Sequence, residues 1–540
     1  MQYRKLQLML KKYSKYLFLL LAITIGSCAK RGSITGGLKD TLAPKLMNSS
    51  PKNGTINFKA NEIKLYFDEY VKLKNVAKQL IVSPPMAKAP EVLPSNASKY
   101  ISIKLRDSLL PNTTYSFNFG QSIEDNNEGN ILPQFKYVFS TGSYIDSLQL
   151  KATFKDALEK KSPSFVSFML YEVNEKYNDS TIYKETPRYI TNSLDSLKVV
   201  NFENLKEGKY RLIALKDVNN NNKFDPAKDQ IGFIKDFVTI PNDTVFQLEL
   251  FKEMAPFKAM KPSQASGNRA TIGYVGNPKD IKFELKKDEE TIPFRISKLP
   301  KKDSLQIWFK PIKKDSITIS VSKEKFKETF NLKLKDQKKD TLTFKPERSG
   351  NLPFREKFTI NTSIPIEKID ASKIKLINKD SVSVAFNTSY DTMKQQVVFD
   401  FEKQPLEKYS ITILPKAMID FYEQNNDTLK YNFTTKNLSD YGNIKVQLLN
   451  VKRFPIIIEL TNKEGKVLAT EYSEKRTTID FNLLEPNTYT LRVIYDDNKD
   501  KQWNPGNYLE KRQSEEVIYF PKEVDVRANW DVEQPFDLKN

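Results

Sequence analysis

Two polar runs in this sequence carry oxygen-bearing side chains at alternate positions, a spacing that could hold a cation. The first run begins at Asp217 and the second at Asp496, and each ends at a proline. A calcium loop spaces its ligands in this way, because Ca²⁺ takes about six to eight oxygens. We therefore predict Ca²⁺ as a cofactor, with these candidate ligands: Asp217, Asn219, Asn221, Asp225, Asp496, Asn498, Asp500 and Asn504.

Both runs also depart from the calcium-loop pattern. The glycine usual at the sixth position is replaced by Asn222 in the first run and by Lys501 in the second. The twelfth position is not glutamate, so Asp229 or Glu510 would have to supply the last ligand. The alternative is a hairpin turn, because Asn and Asp side chains bond to nearby backbone and tolerate left-handed conformations. The sequence leaves both interpretations open.

A second repeated signal is a tripeptide of Asp, then Ser or Thr, then a mostly apolar residue. It resembles the O-glycosylation sequence of one Gram-negative periplasmic machinery. The alternative is a turn signature, in which Asp caps a hairpin and the third residue starts the next strand. The resemblance implies modification at these hydroxyls: Thr41, Ser108, Ser147, Ser180, Ser196, Thr244, Ser304, Ser316, Thr341, Ser381, Thr392 and Thr428.

Composition excludes several kinds of catalysis. The sequence has no histidine and one cysteine, which excludes Ser-His-Asp and Cys-His catalysis and ordinary zinc sites. Trp308, Trp503 and Trp530 are scattered along the chain, which favours core packing over a sugar-binding platform. We predict that the protein is not an enzyme and has no catalytic residues. The net charge of +19 is best explained by lysines on solvated strand faces, and no basic motif indicates nucleic acid.

Alternating apolar and polar residues dominate the chain, and helical periodicity is scarce. Residues 62–67, 100–105, 316–322 and 341–345 are examples, each bounded by turn-forming residues. This pattern is typical of half-buried antiparallel strands. Because the runs are many and short, we predict an all-β fold of tandem sandwich modules, arranged as an elongated stalk.

The N-terminal 27 residues have the pattern of an export signal. Their apolar run, Tyr16–Ile25, is too short for a transmembrane helix, which needs roughly 20 residues. It leads through Gly26 and Ser27 to the single cysteine, Cys28, and this end resembles a bacterial lipobox. The resemblance implies that residues 1–27 are removed and that Cys28 receives acyl chains, palmitate among them.

The same resemblance gives an expected location. Ala29, rather than Asp, follows the lipidated cysteine, which by analogy with lipoprotein sorting favours the outer membrane. Residues 28–43 form a basic tether without the acidic stretch that some lipoproteins use to reach the cell surface. We therefore expect a lipid anchor in the outer membrane, facing the periplasm rather than the cell surface.

Residues 44–142 resemble the bacterial Ig-like domain of S-layer and lipoprotein chains. A weaker copy covers residues 346–436, where the glycines of the pattern are missing. The resemblance implies the fold but says almost nothing about function, because this fold has many functions. The matching residues are Ser50, Pro51 and Gly54 at the start, 67–69 and Val71 at a strand end, 111–115 in a turn, Asp125, Gly129 and Asn130 in a loop, and 139–141 at the close.

Each Ig-like copy is followed by a segment that ends in one of the polar runs. These segments, residues 143–250 and 437–540, share a Phe, Leu, turn, Tyr and strand pattern and resemble transthyretin-like sandwich repeats. A middle β domain, residues 251–345, lies between the two pairs. The chain therefore has the organisation of a duplication.

These observations favour a lipid-anchored envelope scaffold or binding protein without catalysis. One alternative is a carbohydrate-binding accessory protein or enzyme subunit. Another is an envelope assembly factor that contacts outer-membrane proteins. The expected partners are the outer membrane, through the acyl chains, and envelope glycans or outer-membrane proteins.

Overall fold

Strands make up nearly all of the regular structure. The computed structural model describes residues 40–194, 197–288, 290–312 and 316–539. Those residues contain 42 strands, two α-helices of four residues and two 3-10 helices of three. The predicted all-β fold of sandwich modules is confirmed.

The chain divides into two compact units. Of the described residues, the first unit contains 40–81 and Met86–Tyr144, and the second contains Val82–Pro85 and those from Ile145 onward. In the part of the chain that the structure describes, no helix is long and apolar enough to cross a bilayer.

The strands between residues 46 and 140 form two sheets, with strand orders β1-β2-β5-β4 and β3-β6-β8, and β7 also pairs with β2. Ile63, Leu65 and Phe67 of β2 are buried at every second position, because successive strand side chains face opposite sides of a sheet. The elements are β1 Leu46–Ser50, β2 Glu62–Leu73, α1 Val76–Gln79, β3 Ile81–Ser83, β4 Glu91–Leu93, β5 Ser98–Lys104, β6 Thr114–Asn118, β7 Ile123–Asp125 and β8 Lys136–Ser140.

The next sandwich carries the first polar run, and we call it the first loop module. Its sheets have the orders β11-β10-β13-β14, with β15 also on β13, and β12-β9-β16. The strands are β9 Leu148–Asp156, β10 Ser167–Glu172, β11 Tyr189–Asn192, β12 Val199–Leu205, β13 Gly208–Lys216, β14 Gln230–Phe233, β15 Val238–Ile240 and β16 Val245–Leu250, and the helix α2 is Thr181–Lys184. Its first and last strands, β9 and β16, pair in parallel.

The middle module is a sandwich of two sheets around one apolar core. The strand orders are β17-β19-β23-β22, with β18 on β19, and β21-β20-β24-β25. Its strands are β17 Lys258–Ala259, β18 Ser263–Ser266, β19 Arg269–Val275, β20 Lys282–Lys287, β21 Glu290–Thr291, β22 Phe294–Lys298, β23 Ser304–Phe309, β24 Ser316–Lys323 and β25 Phe326–Lys333.

The second Ig-like segment has the sheet orders β26-β28-β32-β31, β27-β35-β33-β30 and β29-β34. Its strands are β26 Phe344–Pro346, β27 Gly350–Asn351, β28 Phe358–Thr362, β29 Ile366–Ile369, β30 Ile374–Ile377, β31 Asn387–Asp391, β32 Gln396–Asp400, β33 Lys408–Ile413, β34 Met418–Asp420 and β35 Leu429–Thr434. The 3-10 helix Ala371–Lys373 precedes β30.

The last sandwich repeats the first loop module, and we call it the second loop module. Its sheet orders, β38-β37-β40-β41 and β39-β36-β42, follow those of the first loop module, except that the single strand β41 takes the place of both β14 and β15. Its first and last strands, β36 and β42, are again parallel. The 3-10 helix Leu438–Asp440 precedes it. Its strands are β36 Gly442–Leu449, β37 Ile456–Thr461, β38 Val467–Ser473, β39 Thr478–Leu484, β40 Asn487–Tyr495, β41 Val517–Val526 and β42 Asp531–Asp537.

The two Ig-like segments share a tyrosine hydrogen bond. The Tyr115 hydroxyl accepts the backbone N–H of Leu110 at 2.9 Å, and the Tyr409 hydroxyl accepts that of Gln404 at 2.7 Å. In both cases a buried ring on a central strand holds the turn five residues before it. The second copy therefore keeps this contact although its glycines are missing.

Candidate functional site

The first polar run forms the turn between β13 and β14. The two carboxylate oxygens of Asp217 accept the backbone N–H groups of Asn220 and Asn222, both at 2.6 Å. Asn222, in the position of the calcium-loop glycine, has a positive φ of 57°. The side-chain oxygen of Asn221 accepts the N–H of Lys223 at 2.9 Å. The tight turn is thus made without glycine, with Asp217 as its centre.

A buried carboxylate closes this turn from the end adjoining β14. Asp229 is fully buried, and its two oxygens accept the N–H groups of Val218 at 2.9 Å and Asp225 at 2.8 Å. Burial is the main reason that the pKa of Asp229 is raised, and the charges of Asp217 and Asp225 act in the same direction. The proton of Asp229 is therefore held more tightly because two other carboxylates lie near it.

The second polar run repeats the arrangement after β40. Asp496 is fully buried, and its oxygens accept the N–H groups of Asp500 at 3.1 Å and Lys501 at 3.0 Å. Lys501, in the glycine position, has a φ of 64°. The Asn498 side-chain oxygen also accepts the Asp500 N–H, and Asp500 Oδ1 accepts the side-chain N–H of Asn504, both at 3.1 Å.

Glu515, a residue that the sequence did not single out, closes the second turn. It is 6% exposed, and its Oε2 accepts the N–H of Asn504 at 2.8 Å. Burial raises its pKa, the backbone N–H groups that it accepts oppose the rise, and the charge of Asp496 adds to it. Glu510 does not take this place, because it pairs with Arg512 at 3.1 Å on the surface.

The eight predicted ligands thus lie in two turns whose carboxylates already accept backbone N–H groups. This is the hydrogen bonding expected of turns held by Asn and Asp side chains. Within residues 40–539, apart from the short gaps in the description, no group of three or more His, Cys, Asp or Glu side chains is arranged to hold a metal ion. Calcium binding by these turns stays a prediction.

We expect Asp496→Ala to lower the free energy of unfolding by about 2 kcal/mol, because the N–H groups of Asp500 and Lys501 lose their acceptor. Urea unfolding of the full chain, followed by tryptophan fluorescence, measures the loss. The matched control is Asp497→Ala, which removes a half-exposed carboxylate paired with Arg453 and should cost less than about 1 kcal/mol. Equal losses for the two variants would contradict the expectation.

The segment that follows the second polar run contacts the first loop module through Tyr508. This side chain is fully buried, and its ring lies 5.3 Å from the ring of Phe233, at 87° to it. Its hydroxyl is 3.1 Å from the hydroxyl of Tyr177. A Cβ at Gly506 would overlap the ring of Phe251, so the close approach requires glycine there. We call this meeting of the two loop modules the Tyr508 contact.

Charged groups surround the Tyr508 contact. Lys511 Nζ donates to Asp179 Oδ1 at 2.6 Å and stands 3.9 Å from the centre of the Tyr508 ring. Glu253 Oε1 accepts the backbone N–H of Tyr508. Burial lowers the pKa of Lys511, against the effect of Asp179, and burial raises the pKa of Glu253.

The raised pKa of Glu253 predicts a pH effect on stability. The folded chain holds this proton more tightly than the unfolded chain, whose pKa is near the ordinary 4.5. The protonated carboxyl of Glu253 therefore stabilises the folded chain. This contribution is fully present below the unfolded-state pKa and is lost as pH rises through the folded-state pKa. We expect Glu253→Gln, which keeps the acceptor for Tyr508, to remove this loss. Urea midpoints of both proteins from about pH 4 to 8 test it, and a difference that does not vary with pH would contradict it.

The predicted glycosylation hydroxyls are mostly accessible. Among the described sites, Thr41, Ser108, Ser147, Thr244, Thr341, Ser381, Thr392 and Thr428 are exposed, and Ser180, Ser304 and Ser316 are half-buried. None of these lies inside a strand except Ser304 and Ser316, which each begin one. Both the modification and the turn interpretation stand. Ser196 and the predicted lipidation site Cys28 lie outside the described residues.

The three tryptophans lie in different surroundings. Trp308 is 1% exposed, as core packing predicts. Trp503 is half-buried and donates from Nε1 to the backbone oxygen of Glu515 at 3.1 Å. Trp530 is 49% exposed, with the Arg527 guanidinium 5.0 Å from its ring, so the core prediction is wrong for this residue.

Comparison with known proteins adds one family match. Residues 40–141 match the family model for a bacterial Ig-like domain. This segment contains β1–β8 and the motifs that resemble that family, so the prediction of a bacterial Ig-like domain in this part of the chain is confirmed. No curated protein matches the sequence.

Solved structures of low similarity also match. They include surface layer protein SbsC, domains 1–6, at 10% identity over 90% of this chain and 67% of that chain, with a TM-score of 0.16. Titin domains z1z2 in complex with telethonin match at 11% over 34% and 97%, with a TM-score of 0.13. Tandem Ig repeats of Dlar match at 12% over 34% and 98%, with a TM-score of 0.12. At these TM-scores the matches carry no argument about this chain.

Proposed function

We propose that this chain is a lipid-anchored scaffold or binding protein of the bacterial cell envelope and performs no catalysis. The observation that carries the proposal is the repetition of packed sandwiches. The two loop modules share one strand order and one carboxylate-centred turn, and the two Ig-like segments share one tyrosine hydrogen bond. In these repeated parts the polar side chains stabilise turns and contacts between modules. This structural use of polar groups is what we expect of a scaffold protein.

The proposed anchor is an acylated Cys28 in the outer membrane, facing the periplasm. Its support is the lipobox-like end of the N-terminal segment. Growth of the native host with an alkyne-tagged palmitate should label the full chain, and Cys28→Ser should abolish the label. A labelled chain that is resistant to protease on intact cells supports the periplasmic face. An unlabelled chain in the water-soluble fraction would contradict the anchor.

A crosslinked pull-down from native membranes tests the scaffold function itself. Capture of stable neighbours, peptidoglycan-associated or outer-membrane, is the expected result. Enrichment restricted to outer-membrane barrels in the course of assembly would favour an assembly factor instead. Detectable hydrolysis of an envelope polymer by the purified chain would contradict a scaffold without catalysis.

An exposed tyrosine pair favours carbohydrate binding as a second candidate. Tyr66 and Tyr100 face each other across β2 and β5, with ring centres 6.1 Å apart, and are 38% and 45% exposed. Aromatic side chains present a large, rigid and flat apolar area, which suits the apolar face of a sugar ring. The Tyr66→Ala, Tyr100→Ala double variant should lose binding on a polysaccharide array, whereas Tyr144→Ala, at a 62% exposed position, should not. Absence of any binding by the unaltered chain would reject this candidate.

Calcium binding remains part of the proposal for the two polar turns. Ca²⁺ would bind between Asp217 and Asp225 in the first turn and between Asp496 and Asp500 in the second, displacing some of the N–H groups that now bond to these carboxylates. Millimolar Ca²⁺ should then raise the melting temperature more than equal Mg²⁺, and Asp217→Asn with Asp496→Asn should remove the difference. No shift in the unaltered chain would leave only the turn interpretation.

We also propose O-glycosylation on the exposed hydroxyls of the Asp-Ser/Thr tripeptides. Its support is the recurrence of the tripeptide together with the accessibility of eight of its described sites. The intact mass of the exported chain decides the matter. A mass equal to the acylated polypeptide would reject the modification.

A further inference from the structure

A cleft of about 570 Å³ opens in the first loop module, lined by residues outside its polar run. Its walls are the end of β9, Gln247 of β16, the segment 160–164 and the residues around Leu194 and Leu197. Asp195 and Ser196, between those two leucines, lie outside the described residues and are not part of the site proposed for this cleft.

The charged side chains described in the cleft are all cationic: Lys160, Lys161 and Lys198. Lys160 Nζ is engaged, because it donates to the backbone oxygen of Pro521 at 3.3 Å. Lys161 and Lys198 are exposed, and neither forms a hydrogen bond or ion pair with the described part of the chain. Two cations are therefore available to a ligand, and Ser162, the residue after Lys161, also lines the cleft.

The rims of the cleft are held in place before any ligand arrives. The N–H of Phe165 donates to the oxygen of Leu194 at 2.5 Å, and the N–H of Val166 donates to Ser193 Oγ at 3.0 Å. Phe165 and Leu194 have positive φ values of 55° and 52°. Bulky residues take this conformation only where their surroundings impose it, and such positions concentrate at functional sites.

The rest of the lining is mixed. Its polar members are Thr153, Ser162, Ser164, Ser193 and Gln247, and its apolar members are Phe154, Pro163, Leu194, Leu197 and Val199. Small-molecule sites combine apolar surface with a few polar groups that orient the ligand. Exposed cations together with these apolar side chains suit a ligand with an anionic head and an apolar body. Because a phosphate group offers several acceptor oxygens to lysine donors, it fits the pair Lys161 and Lys198.

We propose that this cleft binds a phosphate group carried on an apolar body, as in the head group and first carbons of an acidic phospholipid. This binding site is a function in addition to the proposed scaffold. The scaffold proposal does not require the site, and a failure to find binding here would leave that proposal unchanged. Lys161 and Lys198 hold the phosphate, and Phe154 and Leu197 contact the apolar part.

Titration of monomeric short-chain lipids into the chain from Ala29 onward, which keeps every described residue, tests the site. Dihexanoyl phosphatidylglycerol, below its micelle concentration, should bind saturably and more weakly as salt is raised. Dihexanoyl phosphatidylcholine has the same apolar chains without a net negative charge, so it tests whether the charge is needed. Inorganic phosphate has the charge without the apolar chains, so it tests whether a free ion binds as well as the lipid. Both should bind at least about tenfold more weakly. The choline cation of the first neutralises the charge of the phosphate and is repelled by the lysines, and the second lacks the apolar contact.

The variant Lys161→Ala with Lys198→Ala should weaken phosphatidylglycerol binding by about tenfold or more. The matched control is Lys327→Ala with Lys333→Ala, two exposed lysines of β25, which should leave binding unchanged. Equal affinity for the two lipids, no saturable binding, or no effect of the first pair would overturn the proposal. If inorganic phosphate bound as tightly as the lipid, the proposed contact between the cleft and an apolar body would be overturned. Unchanged melting curves show that both variants are folded.

Discussion

Tyr508→Ala should lower the free energy of unfolding of the second unit by about 3–5 kcal/mol, the range found when large aromatic side chains are removed from cores. The ring is fully buried between the two loop modules, and Phe233 and Lys511 lose their packing partner when it is removed. The hydroxyl partner Tyr177 is also left without its 3.1 Å contact. Urea unfolding of the full chain measures the loss.

Hydrogen exchange locates the effect of this change. Exchange should rise in β14 and α2 of the first loop module as well as around residue 508, because the contact joins both. The control is Leu509→Ala, at the next position, where the side chain is 58% exposed and a change within about 0.5 kcal/mol is expected. Faster exchange confined to the second loop module would show that Tyr508 stabilises only its own turn.

Trp308→Ala should also cost about 3–5 kcal/mol, since a large buried indole leaves a cavity. Trp308 lies on β23 of the middle module and packs against Ile364 and Phe421 of the following Ig-like segment. Its Nε1 donates to Ser297 Oγ at 2.8 Å. The variant should therefore weaken the junction of these two modules, which limited proteolysis near residues 335–343 would detect along with the urea midpoint.

Trp530→Ala is the matched control for this prediction. The same side chain is removed, but from a position that is 49% exposed and contacts Arg527 through a cation–π distance of 5.0 Å. A loss of about 1 kcal/mol or less is expected there. If the two tryptophan variants were equally unstable, burial at the module junction would not explain the loss of stability in Trp308→Ala.

The turns could be predicted from the sequence because their chemistry is local. Asp217 and Asp496 each accept N–H groups three to five residues ahead, so composition and spacing contain the arrangement. Glu515 could not be found in this way. It reaches the second turn from the far side of an inserted segment that contains Tyr508, and nothing in its immediate neighbours marks it.

Glycine proved a poor guide to where the backbone turns left-handed. The second Ig-like segment lacks the glycine of the loop after Asp125, yet Glu423 in the loop after Asp420 takes a φ of 67°. Asp420 stabilises this turn by accepting the N–H groups of Tyr422 and Gln424, both at 2.8 Å. Asp125 accepts backbone N–H groups in the same way in the first Ig-like segment. The feature that the two loops share is therefore the carboxylate acceptor and not the glycine.

Contacts between modules could not be predicted from the sequence. Tyr508 and Trp308 look like ordinary apolar residues in their own strands and loops, because strand alternation reports burial within a sheet and not which neighbour covers its outer face. The strand predicted at residues 341–345 shows the same limit. Only Phe344–Pro346 forms a strand there, and it pairs with β28 of the second Ig-like segment and not with a strand of the middle module. Alternation alone could not tell where one sandwich ends.

The parallel pairing of β9 with β16 has a mechanical consequence. The chain enters the first loop module at one pole of this pair and leaves it at the opposite pole, with Val245 beside Lys151 and Leu250 beside Asp156. Tension applied between these two ends runs along the strands, so the ladder is loaded in shear and its hydrogen bonds share the load instead of opening one at a time.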